Sequence, residues 1–458
     1  MFKWNTNNII DATGGRGVNG CNWTHSSNIS TDTRSIKKGD LFIALKGKNF
    51  DGHNFLHEAF LKGAAAAIVS EGKYKNFPLI IVQDTLKALH DMALYYIRNI
   101  LVDAKVIAIT GSVGKTTTKD MLHTVLSQYG VSHANKGNLN NNIGLPLTIL
   151  KAPKNCQYLI LEMGMNKAGE IKELSKISNP NIAVITNIEP AHTENFSSLF
   201  DVAQAKLEIL YGMKSNGTLV LNRDNKYYDY LSSHANRNVI SFGKDKNAEV
   251  CLLDLIRNDD GLNLKIRLSD NQTINCNLRM QGEHFAYSLL VVTAVVQSLG
   301  LDLSKLPLAL KNFSVTKGRG NIHKVKYNKK YIHLIDDSYN ASPASMKTAI
   351  KTLSTYSNQR KVALLGDMLE LGDKSIEFHT DLVKIVIENN IDKIYTVGKF
   401  MLELHELLPD NIRGAHFNDS NQLKSDLANI IQNNDAILVK GSRRMKMDLI
   451  VREFIIEY

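Results

Sequence analysis

The chain has 458 residues, which at roughly 150 residues per domain suits about three domains. Hydrophobic residues make up 43% and charged ones 22%, the balance of a folded soluble protein rather than a disordered or fibrous one. Lys and Arg number 55 against 45 Asp and Glu, a dispersed net charge of +10 that suits anionic ligands such as nucleotides and carboxylates; a nucleic-acid partner, which asks for clustered basic stretches, is not expected.

Met1 to Asp11 carries no apolar signal core, so a cytoplasmic location is expected. The longest strongly apolar run, Leu289 to Val296, is too short to span a bilayer. Cysteines at 21, 156, 251 and 276 lack metal-ligand spacing and read as reduced thiols.

Along the first hundred residues the pattern is mixed. Asp40 to Leu45 reads as a buried strand, Phe55 to Gly63 as a helix closing on glycine, and Ala64 to Val69 and Leu79 to Val82 as further strands. Asp84 caps a helix carrying Leu86, Leu89, Ala93 and Ile97. From about 101 the order becomes strand, turn, helix. Val106 to Thr110, Tyr158 to Leu161 and Ile182 to Ile185 are short buried runs, and Thr117 to Tyr129 is a helix, which together predict a parallel sheet covered by helices. Val250 to Leu253 and Leu262 to Leu268 flank Asn258-Asp259-Asp260-Gly261 as a hairpin, and a helix follows over about 284–299. From about 314 a second alternating series begins, with strands at Tyr331 to Ile335, Val362 to Leu365, Lys393 to Val397 and Ala436 to Val439. The expected fold class is α/β, in three zones: 1–100, 101–313 and 314–458.

The first chemical signal is Thr110-Gly111-Ser112-Val113-Gly114-Lys115-Thr116-Thr117-Thr118, between a buried strand and a helix. Polyphosphate binding needs backbone N–H groups pointing into a concave turn with a helix start behind them. The glycines let the backbone approach phosphate oxygens, Lys115 neutralises the outer phosphates and the Thr116 hydroxyl suits magnesium. The loop is a short form, GxxGKTT, because Ile109 stands where the longer pattern has glycine.

Glu162 ends the strand Tyr158 to Leu161, and His192 follows the strand Ile182 to Ile185. Both fall on the sheet edge where open α/β sheets bind ligands, so each is a candidate metal or phosphate group. Strand-end solvation of Glu162 and a structural role for His192 are the competing readings. By pattern alone Lys206 is a solvated helix lysine, and Asn138 to Gly144 is a polar loop rich in amide donors.

Together these residues resemble the Mur ligase family, ATP-dependent enzymes that build the peptide of the bacterial cell-wall precursor, and the similarity runs across nearly the whole chain. Thr110 to Thr117 resembles the family's ATP loop, and Asn142-Ile143-Gly144 its Asn-Ile-Gly element. Glu162 and His192 match its magnesium-associated acid and histidine, and Lys206 matches the lysine that members carry as a carbamate. Asp336 to Met346, reading DDSYNASPASM, is similar to an element of the members that add D-alanyl-D-alanine. Leu365 to Gly372 and Lys440-Gly441-Ser442-Arg443 are similar to their C-terminal segments. The DNP-Arg-type motif and KGHE ending of the neighbouring diaminopimelate- or lysine-adding members are absent. Thr31-Asp32-Thr33-Arg34 and Gly47 to His53 resemble the UDP-sugar domain. Two departures stand out. The family's His-Asn-x-x-Asn reads His284-Phe285-Ala286-Tyr287-Ser288, and Ser342 replaces an Asn.

The resemblance implies an N-terminal mixed α/β UDP-sugar domain, a central P-loop ATPase domain with a parallel sheet, and a C-terminal Rossmann-like domain. It implies ligation of D-alanyl-D-alanine to UDP-N-acetylmuramoyl-tripeptide (UDP-MurNAc-tripeptide) through an acyl phosphate, releasing ADP and phosphate. The catalytic residues would be Lys115, Glu162, His192 and Lys206. ATP would be held by Gly111, Ser112, Val113, Gly114, Lys115, Thr116 and Thr117, with Arg319 and Asp337 reaching phosphate and ribose. Without the resemblance, Arg319 reads as a solvated loop cation and Asp337 as a strand-end cap. Magnesium would be held by Thr116 and Glu162 at one position, and by His192 and carbamylated Lys206 at the other. Thr31, Thr33, Arg34, Asn140 and Asn142 would contact the UDP-linked substrate. A monomer is expected. The alternatives are a family member adding a single amino acid to a shorter precursor, and a P-loop ATPase without ligase activity.

Overall fold

Val106, Ile107, Ala108 and Ile109 are wholly buried, and that is possible only for a strand covered on both faces. In the computed structural model, which describes residues 2–20, 28–47, 49–72, 74, 76–190, 193–258, 261–311 and 313–456, they form β6 (Lys105–Thr110), inside the second of three sheets.

The first sheet holds β1 (Arg16–Val18), β2 (Ile29–Ser30), β3 (Leu41–Ile43), β4 (Ala66–Val69) and β5 (Leu79–Ile81), ordered β1-β5-β4-β3-β2. The second continues with β7 (Ser132–Ala134), β8 (Tyr158–Glu162), β9 (Ile182–Ile185), β10 (Thr218–Asn222), β11 (Asn238–Gly243), β12 (Val250–Asn258), β13 (Gly261–Arg267) and β14 (Thr273–Leu278). Its order is β14-β13-β12-β11-β10-β9-β6-β8-β7, parallel from β7 through β12 and antiparallel across β12, β13 and β14. The third holds β15 (Asn321–Tyr327), β16 (Lys330–Asp337), β17 (Arg360–Gly366), β18 (Lys393–Val397), β19 (Arg413–Phe417) and β20 (Asp435–Lys440), ordered β15-β16-β20-β17-β18-β19 and parallel except for β15. The chain is α/β, as its patterning predicts.

Apolar packing joins the first two sheets. Trp4, Met92 and Tyr96 belong to the same buried cluster as Leu145, Leu159 and Leu161. Tyr96, on the helix Thr85–Asn99, donates its hydroxyl to the Ala152 carbonyl at 2.7 Å. On the opposite face of the second sheet, Phe285, Leu289 and Val292 of the helix Glu283–Ser298 pack with Met121 and Val125 of the helix Lys115–Leu126.

Several predicted elements change length, and two of them matter here. The helix expected over 117–129 spans Lys115–Leu126. Gly114 takes a left-handed conformation at its N-cap (φ 82°), so the helix starts at once and Lys115 and Thr116 sit in its first turn. The first hairpin strand runs on to Asn258, because the antiparallel ladder with β13 continues past the apolar residues. Cys156, Cys251 and Cys276 are buried free thiols, and Cys21 lies outside the described residues. Among the described residues no helix is long and apolar enough to cross a membrane.

Candidate active site

The turn between β6 and the helix Lys115–Leu126 is held from behind by the segment after β9. Ser112 N donates to Asn187 O (2.9 Å), and Ser112 Oγ donates to Glu189 O (2.7 Å). Thr186 Oγ1 donates to Val113 O at 2.6 Å. Gly111 (φ 148°) lies so close to Thr186 that a Cβ would strike it, so only glycine fits there. Lys115 folds back over the turn, its Nζ donating to the carbonyls of Gly111 (2.6 Å) and Ser112 (3.2 Å). Burial lowers its pKa, opposed by the charge of Glu162.

Glu162, 3% exposed at the end of β8, is the second component. Its Oε2 accepts from Thr116 Oγ1 and its Oε1 from Asn140 Nδ2, both at 2.8 Å. Asn135 fixes the main chain beneath. Its Oδ1 accepts from Glu162 N (2.8 Å), and its Nδ2 donates to the carbonyls of Glu162 and Leu139 (both 2.9 Å). Buried Lys119 secures the Asn135 carbonyl at 2.7 Å. Sequence reading had singled out neither Asn135 nor Lys119.

Lys206 is 4% exposed, not a solvated helix residue. It lies on the helix Leu199–Leu207, which opens with a Ser198–Asp201 capping box. Just beyond its end, the Glu208 carboxylate accepts from the backbone N–H groups of Gly169 (2.8 Å) and Lys172 (3.2 Å). Burial pushes the Lys206 amine well below the usual lysine pKa, and Lys115 adds to the shift.

The third sheet supplies the facing wall. The two neighbouring aspartates of the DDSYNA segment divide the work. Asp336 accepts from Gly318 N (2.9 Å), Ser338 N (3.2 Å) and Ser338 Oγ (2.6 Å), and so pins the loop that carries Arg319. Asp337 instead accepts from Lys440 Nζ at 2.6 Å. The Arg319 guanidinium lies 4.2 Å from the centre of the Tyr339 ring, and Arg443 approaches the same ring at 5.6 Å. Arg319 Nε is buried with no partner.

One cleft of 1470 Å³ lies between the second and third sheets, while Gly111, Lys119, Asn135, Glu208 and Asp336 support its walls without lining it. It brings together Ser112, Val113, Gly114, Lys115, Thr116, Thr117, Asn140, Asn142, Glu162, Lys206, Arg319 and Asp337. Thr31, Thr33 and Arg34 lie apart from it, beside β2 of the first sheet. There Thr33 is buried, and Arg34 is exposed and paired with Asp32 at 2.6 Å. The helix Thr85–Asn99 reaches the rim of the cleft, where the ring Nε2 of His90 lies 2.7 Å from the Asn142 carbonyl. His192 lies outside the described residues. Among those described, no three His, Cys, Asp or Glu form a metal-binding group.

In the departing segment, Phe285 is wholly buried in the core and does not line the cleft, whereas His284, Tyr287 and Ser288 do. Tyr287 donates its hydroxyl to Asp224 at 2.7 Å. His284 Nδ1 is buried without a partner. Burial and the nearby Lys440 charge lower the His284 pKa to about 4. The other departure, Ser342, accepts from Ser345 N at 3.4 Å and caps the helix Pro343–Ser354.

Comparison with known proteins gives the same outline. Residues 25–102 match the Mur ligase family catalytic domain, 109–296 the Mur ligase middle domain, and 318–443 the Mur ligase glutamate ligase domain. The UDP-N-acetylmuramoyl-tripeptide–D-alanyl-D-alanine ligase of Buchnera aphidicola subsp. Baizongia pistaciae is 39% identical, covering 94% of this chain and 92% of the relative. The enzyme of that name from Rickettsia prowazekii is 36% identical, over 98% and 99%. A crystal structure of MurF from Acinetobacter baumannii superimposes with a TM-score of 0.90 at 30% identity, covering 99% of both chains. MurF from Thermotoga maritima in complex with ADP gives 0.83 at 28% identity, over 94% of this chain and 97% of that one. The chain belongs to the Mur ligase family.

Proposed function

We infer that this chain is an ATP-dependent ligase that joins D-alanyl-D-alanine to UDP-N-acetylmuramoyl-tripeptide, forming the pentapeptide precursor of peptidoglycan with ADP and phosphate. The observation that carries the reading is the single cleft in which the phosphate loop, Glu162 and Lys206 face Arg319 and Asp337. This geometry suits phosphoryl transfer, where catalysis is mainly positioning and charge neutralisation. The tripeptide's terminal carboxylate takes the γ-phosphoryl group of ATP. The dipeptide amine then attacks the acyl carbon, the amide forms, and phosphate leaves with the proton the nitrogen gives up.

The turn at Gly111 to Thr117 holds the polyphosphate, with Lys115 neutralising charge that builds up during transfer. Arg319 and Asp337 hold phosphate and ribose from the facing wall. The donor set beside the turn fits magnesium, because Thr116 Oγ1 and the buried Glu162 carboxylate are both oxygen ligands within 2.8 Å of each other. A bound magnesium ion would polarise the phosphoryl oxygens. Lys206 fits carbamylation, since burial favours the neutral amine that adds to carbon dioxide, losing one proton. The resulting anion, with His192, suits a second magnesium. Thr31, Thr33 and Arg34 contact the UDP-sugar, and Asn140 and Asn142 the peptide end. On this reading residues 1–100, 101–313 and 314–458 serve as UDP-sugar, ATP and dipeptide-side domains of a cytoplasmic monomer.

Phosphate release from ATP and magnesium is the test. It should require both UDP-N-acetylmuramoyl-tripeptide and D-alanyl-D-alanine, and Lys115→Ala should lower it about a hundredfold or more. Release with a single amino acid and a shorter precursor would move the step within the family. Release indifferent to both substrates would overturn ligation.

A further inference from the structure

Lys440 ends β20, between β16 and β17, and its Cα is in parallel register with Asp337 at the end of β16. Its side chain is 2% exposed, yet it lines the cleft. A lysine ammonium carries three protons. One goes to Asp337 Oδ2 at 2.6 Å and one to the Asn340 carbonyl at 2.9 Å. The two acceptors lie on either side of Tyr339, the ring that carries Arg319. One buried cation therefore fixes both ends of a short segment facing the nucleotide.

We propose that Lys440 is a positioning residue of the nucleotide site, holding the Asp337 carboxylate ionised and turned toward the cleft and setting the 337–340 segment. The proposal rests on the assignment of Asp337 to ATP. A buried carboxylate without a cation takes up a proton instead of keeping its charge. On balance the Asp337 pKa is raised: burial pushes it up, and Lys440, then Arg319, pull it back only in part, so loss of the Lys440 charge would raise it further. The charged groups facing it are Lys440 from β20 and Arg319 from the loop before β15, and His284 on the helix Glu283–Ser298 lies near Lys440. A purely structural ion pair between strands makes a different prediction, since its loss lowers stability at every pH and leaves the KM for ATP alone.

The experiment compares the full-length wild type with Lys440→Met, Lys440→Arg and Asp337→Asn in ATP kinetics from pH 6 to 9, alongside thermal unfolding. Lys440→Met should raise the KM for ATP tenfold or more at pH 7. That KM should fall back toward wild type as pH rises and Asp337 loses its proton. Asp337→Asn should raise KM with no such limb. Lys440→Arg keeps the charge and should raise KM by less than threefold, again without the limb; it carries the test if Lys440→Met does not fold. A Lys440→Met enzyme with wild-type KM, or an arginine variant as impaired as Asp337→Asn, overturns the proposal. If Asp337→Asn keeps the wild-type KM, the assignment of Asp337 to ATP fails first, and the role of Lys440 falls with it.

Discussion

At the scale of single residues, chemistry was more legible in the sequence than placement. Lys115 and Thr116, at a helix start after a glycine turn, and Glu162, at a strand end, announce themselves by position, and Thr116 and Glu162 are joined by a hydrogen bond. Lys206 carries no such signal, because its burial is set by tertiary packing around a helix whose own pattern is unremarkable. Asp336 and Asp337 are adjacent and chemically identical, so only their register on β16 separates the loop anchor from the group at the cleft. His284 shows what burial does to a titratable group. Its pKa is lowered from the ordinary 6.5 to about 4, first by desolvation and then by Lys440, with Glu283 opposing. Between those values the unfolded chain takes up a proton that the folded chain refuses, so stability falls as pH drops from about 6.5 to about 4. The full shift corresponds to roughly 3–4 kcal/mol. Urea unfolding across this range should therefore fall more steeply for wild type than for His284→Phe; parallel curves would mean that His284 titrates normally in the folded chain.

At the scale of elements, the buried strands were readable because continuous apolar runs of this length suit strands covered on both faces. Helix starts were harder. The Thr116-Thr117-Thr118 run is β-branched and weakens a helix prediction, but the left-handed Gly114 overrides that preference. The substitution of Ser342 for Asn is explained at this scale. Both residue types cap helices well, and Ser342 forms a reciprocal capping box with Ser345 ahead of Pro343. Ser342→Ala should lower stability by about 1 kcal/mol, and Ser342→Asn should leave it nearly unchanged in chemical denaturation. Equal losses in both variants would show that the hydroxyl is needed for something beyond the cap.

At the scale of the whole molecule, the cleft depends on how two sheets face one another, and no local pattern reports that. The second sheet presents the strand ends and the glycine turn. The third presents Arg319 from the loop before β15 and Asp337 and Lys440 from the ends of β16 and β20. On the proposed reading, a nucleotide in the cleft would bridge the two and stabilise the folded chain by mass action, about 2.7 kcal/mol at a hundredfold excess over Kd. ADP should therefore raise the thermal unfolding midpoint by a few degrees. Arg319→Ala should reduce that rise at equal ADP concentration, whereas an undiminished rise would place the nucleotide against the second sheet alone.

The pairing of Asp337 with Lys440 also bears on how the chain reaches its native form. All six residues of β20 are buried, so apolarity alone discriminates weakly between neighbouring alignments of this strand. Sliding it by one position would set Gly441 beside Asp337 and turn the ammonium into the packing on the other face. Lys440 is buried but Asp337 is 23% exposed, so breaking their pair costs less than the roughly 3–5 kcal/mol of a fully buried one. A misaligned third sheet would thus be less stable, and the same pair favours the native alignment of the strand that carries it.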